Sequence, residues 1–226
     1  MKIAAAIATS AWWRRASVWV GGAEPFTYLA LLLFYIWWFE PRAGAGQNVA
    51  ARVLLGILPI LSSLLHRDRP RDVGLRVDNL LRSARQVGEP SLVAAALILT
   101  IGGLTGTTPR FDLGTVYALA GYPVWALWQQ FVLQGFVHRR LALAWGRPRQ
   151  AAAVAALVFG LVHLPNPVLM VATTWGGYLW CRYHARTPNL VTLAISHGWL
   201  ATLLSVSLPS EWLHQLVVGP GYWPKP

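Results

Sequence analysis

Trp128-Gln129-Gln130-Phe131-Val132-Leu133-Gln134-Gly135-Phe136-Val137-His138-Arg139-Arg140-Leu141 closes a long apolar run and sets three glutamines within six residues. The run is long enough for a membrane-spanning helix, and hydrocarbon offers a carboxamide no water. Those amides therefore need protein partners on other helices. The whole chain agrees with that setting: of 226 residues, 55% are hydrophobic and 12% charged, which excludes an ordinary soluble domain and fits an all-α polytopic bundle. A formal charge of +11 raises the question of nucleic acid. A nucleic-acid binder gathers its basic residues on one soluble face, whereas here they are interleaved with apolar spans, so no nucleic acid is expected. The one cysteine, Cys181, excludes an internal disulfide and a CxxC metal site. Thirteen tryptophans suit interfacial belts.

Outward from this stretch the chain divides into apolar spans. Residues 1–24, with Lys2 and Trp12-Trp13-Arg14-Arg15, are expected to form an N-terminal interfacial segment and not a cleaved signal peptide. Spans are expected at about 25–39, 50–65, 90–104, 115–143, 150–164, 167–183 and 189–208, with a short tail over 209–226. Between the second and third, Leu75, Val77, Leu80, Leu81, Ala84 and Val87 alternate with Arg76, Asp78, Arg82 and Arg85 at helical spacing. That pattern predicts an amphipathic interfacial helix. With the N-terminus inside, 15 of the 19 lysines and arginines fall in inner segments and only Arg42, Arg52, Arg110 and Lys225 in outer ones. The asymmetry predicts seven spans, N-in and C-out, with six spans as the alternative.

Three polar positions then coincide in depth. Gln129 lies ten residues before Arg139, His163 lies 14 after Arg149 and His197 lies 11 after Arg186. At 1.5 Å per residue these are roughly 15, 21 and 17 Å from the inner flank, in the middle band of a core about 30 Å thick. Two imidazoles from different helices could bind a metal or act as acid and base. The bland alternative for each is an interhelical hydrogen bond of about 1 kcal/mol, but ionisable residues inside a membrane usually mark function. His66, His138, His184 and His214 lie nearer the polar flanks and read as interfacial.

These motifs resemble the CPBP family, the CAAX-protease and bacteriocin-processing (Abi) group of intramembrane endopeptidases. That family carries Glu-Glu-x-x-x-Arg, then Phe-x-x-x-His, then His-x-x-x-Asn or Asp. At the same spacings this chain has Gln129-Gln130-x-x-x-Gln134, Phe159-x-x-x-His163 and His197-x-x-x-Ala201. Asp72-Val73-Gly74-Leu75, Gly135 and Thr187-Pro188-Asn189-Leu190 add to the likeness, which covers about 70–208. The resemblance implies a bacterial inner-membrane protein acting on a prenylated or otherwise hydrophobic membrane peptide. It further implies that Gln129 stands where the family has its base glutamate, Gln130 at the second glutamate, Gln134 at the arginine and Ala201 at the Asn or Asp. His163 and His197 match outright.

The departures change the chemistry. A carboxamide has no useful proton-accepting pKa and is a weak metal ligand beside a carboxylate, so the family's glutamate-and-water mechanism does not run here as written. The chain's eight carboxylates are all expected in loops or at helix ends, away from the histidines. Loss of one charge alone would strand a buried partner at a cost of several kcal/mol; losing glutamates and arginine together leaves a neutral amide and imidazole network. Such a site fits an endopeptidase working through imidazole, with zinc on His163 and His197 compatible but not required. It also fits a pseudoenzyme, a non-catalytic module that holds a lipidated peptide for immunity, chaperoning or scaffolding. A transporter is disfavoured because two histidines without an intramembrane acid make a poor proton relay. Ser196 is no nucleophile for His197, since neighbours on a helix point about 100° apart. Cys181 reads as an ordinary buried thiol. Pro165-Asn166-Pro167 must break the chain after His163, either as a simple turn or to hold that histidine at a helix end.

Overall fold

A computed structural model describes residues 11–107, 109 and 111–223, with side chains from residue 20 onward. The first ten residues of the expected interfacial segment lie outside that range. The described residues are helical and contain no strand. Helix α1, Ala11–Phe34, ends in a π-helical turn, Tyr35–Phe39. Next come α2, Ala45–Leu65, and α3, Leu80–Leu104. Helix α4, Leu113–Gln130, passes through a π-helical segment, Phe131–His138, straight into α5, Arg139–Trp145. Then follow α6, Pro148–Leu161, α7, Pro167–Arg186, α8, Leu190–Ser207, and a short α9, Ser210–Leu213.

Two expected boundaries shift. Helix α1 runs through Pro25 instead of starting there, so no break separates the N-terminal segment from the first span. The expected amphipathic helix over 75–87 and the span after it are one helix, α3, with Pro90 inside and residues 75–79 left as loop. Proline removes one backbone hydrogen bond, but in hydrocarbon no water competes for the others and neighbouring groups fill in. One residue on, Ser91 Oγ donates to the Val87 carbonyl at 2.7 Å and adds a side-chain bond to the turn around Pro90. Residues 75–79 stay out of the helix because Asn189 holds them, donating to the Arg76 carbonyl at 2.9 Å and to Asn79 Oδ1 at 2.8 Å. Asn79 in turn donates to the Pro188 carbonyl at 2.9 Å.

Among the described residues four helical stretches are long and apolar enough to cross a membrane: Val20–Phe39, Ala45–Leu65, Leu80–Leu104 and Leu190–Ser207. The outer pair, α2 and α3, have only 11% of their most apolar window buried, against 56% for α8. Leu54, Leu64, Leu92, Val93 and Leu97 therefore face outward, and an apolar surface of that extent needs lipid. The inner helices are less greasy because they carry the small and polar residues that pack the interior. Helix α6 has 14 residues, about 21 Å. Its Ala151, Ala152, Ala155 and Ala156 are fully buried and let α7 approach closely.

At the end of the bundle that carries Arg139 and Arg140, an ionic cluster ties four segments. Asp68, almost wholly buried, accepts from Arg139 Nε at 3.0 Å and from Arg140 Nη2 at 2.5 Å. Arg140 also donates from Nε to Ser62 at 3.1 Å and lies 3.5 Å from Glu24, which bonds Ser62 at 2.6 Å and His66 at 2.9 Å. Burial works against the charge on Asp68, yet the hydrogen bonds and charges of the two arginines prevail and hold its carboxyl below the usual range.

Candidate active site

The site forms where α4, α6, α7 and α8 converge. Asp112 caps α4 by accepting from the Thr115 N–H at 2.8 Å, and Asn189 caps α8 by accepting from the Thr192 N–H at 3.1 Å. These caps fix where each helix starts, and so which turns face each other. Gly198 then allows the contact. A Cβ there would stand 2.7 Å from Pro123 N and 2.8 Å from Pro123 Cα, so only glycine lets α8 lie this close to α4 at the turn holding His197.

Gln130 and Gln134 are fully buried. Gln134 Nε2 donates to Gln130 Oε1 at 3.2 Å, and Gln130 Nε2 lies 3.3 Å from His197 Nδ1. Of the three glutamines, Gln130 is the one bonded to a histidine on another helix, and Gln134 is joined to it through Gln130. Gln129, half-buried one position earlier, takes no part in these two bonds, since neighbours on a helix diverge by about 100°. Its Oε1 is buried without a hydrogen-bond partner, an acceptor left open at a depth where that costs about 1–3 kcal/mol.

His163 follows the end of α6, in the turn before Pro165-Asn166-Pro167. Its Nδ1 sits 2.7 Å from the Phe159 carbonyl. A carbonyl can only accept, so Nδ1 carries the proton and Nε2 is left with its lone pair. Asn166 locks the turn: fully buried, it accepts from the Leu169 N–H at 3.2 Å and donates to the Leu213 carbonyl at 2.8 Å. The proline pair is therefore a turn and a histidine mount at once.

Phe159 joins the two histidines. Its ring stands edge-on to His163 at 5.1 Å and to His197 at 5.8 Å. Gly177 on α7 makes room for it, since a Cβ there would lie 3.2 Å from the ring. Two aromatic neighbours of His197 were not singled out from sequence: Trp180 at 4.6 Å and Tyr122 at 6.3 Å. With 13 tryptophans in the chain, one more in a span carries little signal. Tyr122 precedes Gln130 by eight residues, close to two helical turns, and that spacing could have marked it. Ser196 is occupied structurally, sharing a 2.8 Å bond with Ser91 and accepting from Trp180 Nε1 at 3.2 Å. Cys181 is a fully buried thiol. Ala201, half-buried one turn beyond His197, supplies no polar group.

The carboxylates need one correction. Glu24 and Glu89 lie inside α1 and α3, not in loops or at helix ends, because both helices continue through their prolines. Glu24 is nonetheless committed to Ser62, His66 and Arg140. Among the described residues no three His, Cys, Asp or Glu side chains gather. Two imidazoles, each with one nitrogen already engaged, fall short of the three protein ligands that catalytic zinc keeps.

Residues 111–203, which hold the glutamine motif, His163 and His197, match the family described as type II CAAX prenyl endopeptidase Rce1-like. This stretch is an Rce1-like domain. The domain spans α4 to most of α8, so Gln129, Gln130, Gln134, Phe159, His163 and His197 all lie within it. No curated protein and no solved structure matches the chain. Upstream of the domain, the Val73–Gly74 loop is bonded to the end of α7 and the start of α8. The Leu190 N–H donates to the Gly74 carbonyl at 2.8 Å, and His184 Nε2 lies 3.2 Å from the Val73 carbonyl. The Val73–Gly74 loop is thereby seated on the Thr187–Leu190 turn.

Proposed function

We propose that this chain is a membrane endopeptidase of the CAAX-protease kind whose general base is His163 in place of a carboxylate. The observation that carries the reading is the pair of imidazoles on one Phe159 ring, within an Rce1-like domain; the motif spacing sets Gln129 and Gln130 where the resemblance implies glutamates. With Nδ1 committed to the Phe159 carbonyl, His163 Nε2 takes a proton from water as the water oxygen bonds to the peptide carbonyl carbon. The carbonyl electron pair moves onto its oxygen, which His197 stabilises by hydrogen bonding. The proton then passes from His163 to the leaving nitrogen as the C–N bond breaks. Gln129, with its open Oε1, accepts from a backbone N–H of the bound peptide. No step draws on a metal, in keeping with the donor set.

The substrate is a lipidated or hydrophobic peptide, presented from the bilayer that covers α2 and α3. Seven spans with the N-terminus inside would open the cleft toward the cytoplasm, as the lysine and arginine distribution supports. The test is cleavage of a prenylated peptide by the full chain in vesicles. His163→Ala and His197→Ala should each lower it at least a hundredfold. Cleavage that persists undiminished in both variants would overturn the reading. Peptide binding with no cleavage by the wild type would favour the non-catalytic module.

A further inference from the structure

We propose that Gln134 is a positioning residue which, acting through Gln130, sets His197 in the tautomer opposite to that of His163. The geometry is a directed chain. Gln134 Nε2 donates to Gln130 Oε1 at 3.2 Å, which turns the Gln130 NH2 group toward His197 Nδ1, 3.3 Å away. An amide NH2 can only donate, so Nδ1 must accept and the ring proton resides on Nε2. His163 receives the reverse instruction: the Phe159 carbonyl, 2.7 Å from Nδ1, can only accept and places the proton on Nδ1. The two rings on either side of Phe159 thus differ in what they offer. His163 presents an Nε2 lone pair, and His197 presents an Nε2 proton.

Burial makes the chain enforceable. Gln130 and Gln134 have no exposed surface, so no water can supply the missing donor or acceptor if an amide turns over. The thiol of Cys181 lies against the Gln134 amide, and Gln134 Oε1 is left buried without a partner. The observed arrangement therefore uses the donors and orphans a single acceptor. Two donors are harder to leave unmade than one carbonyl oxygen. The tautomer assignment stands on these contacts alone. Its use in catalysis, a lone pair for water and a proton for the carbonyl oxygen, rests on the endopeptidase reading.

The experiment is 15N NMR of the imidazoles in the purified full chain in detergent, labelled at histidine, with His163→Gln and His197→Gln to assign the signals. His197 should show a protonated Nε2 and a bare Nδ1, and His163 the opposite pattern. Gln134→Met, which keeps the volume and removes the amide, should replace the single His197 form by a mixture of both tautomers. His163 should stay unchanged, and its signal reports that the variant is folded. A protonated Nδ1 on His197 in the wild type would overturn the proposal, even if Gln134→Met fails to fold. So would a His197 tautomer that stays fixed in a folded Gln134→Met. The fixed tautomers without cleavage would leave the relay standing and remove the endopeptidase reading; cleavage with the wrong tautomers would do the reverse.

Discussion

Gln129 carries an Oε1 that is buried without a partner, at the position where the motif resemblance implies a base glutamate. Replacing its amide nitrogen by oxygen adds a proton acceptor and almost no volume. Gln129→Glu should therefore raise cleavage of a lipidated peptide about a hundredfold, the low end of what a positioned base contributes. A wild type already active and unimproved by this change would show that the carboxamide does not limit the reaction. The neighbouring Gln130 behaves differently because both ends of its amide are engaged. Adjacent residues of identical type thus have separate duties, and their order on the helix decides which is which. Spacing and depth pointed to an amide of this helix meeting a histidine of another. Which glutamine did so was not legible, because depth is shared by neighbours while direction is not.

At the scale of the elements, the close approach of α4 and α8 rests on Gly198. The atoms a Cβ would meet are the backbone N and Cα of Pro123, which cannot swing aside as a side chain end could. Gly198→Ala should cost about 1–3 kcal/mol, seen as a lower Tm in detergent, and should loosen the bond between Gln130 and His197 on the same seam. An unchanged Tm would mean that the two helices are not in contact there. Helix boundaries were the least legible feature in the sequence, for a physical reason. Pro25 and Pro90 look like helix starts by rules learned in water, but inside α1 and α3 each removes one hydrogen bond and ends nothing. The loop over 75–79 failed in the other direction. Its helical periodicity is real, and bonds from Asn189 and Asn79 across to distant parts of the chain override it. The rings of Trp180 and Tyr122 around His197 depend on distances between helices, which no pattern along one helix encodes.

For the whole molecule, the ionic cluster around Asp68 joins α1, α2, the loop after α2 and α5. Asp68 and Arg140 are both almost wholly buried, so Asp68→Asn would leave Arg140 with an uncompensated charge and should cost about 3–5 kcal/mol. A carboxyl whose pKa falls on folding adds stability that is complete above its unfolded value and drains away as pH drops through the folded one. Wild-type Tm should thus decline on acidification below about pH 4, and the Asp68→Asn variant should decline less steeply over that range. Parallel pH profiles for the two proteins would remove Asp68 from the account. The rod that carries this cluster at one end carries Gln130 at the other, and between them lies the π-helical segment Phe131–His138. A π-helical stretch accommodates an additional residue within the path of an α-helix. Drawing these eight residues into α geometry without removing one would rotate everything beyond them, and Arg140 could not face Asp68 while Gln130 faced His197. In this stretch of the chain, the number of residues is under tighter constraint than their identities.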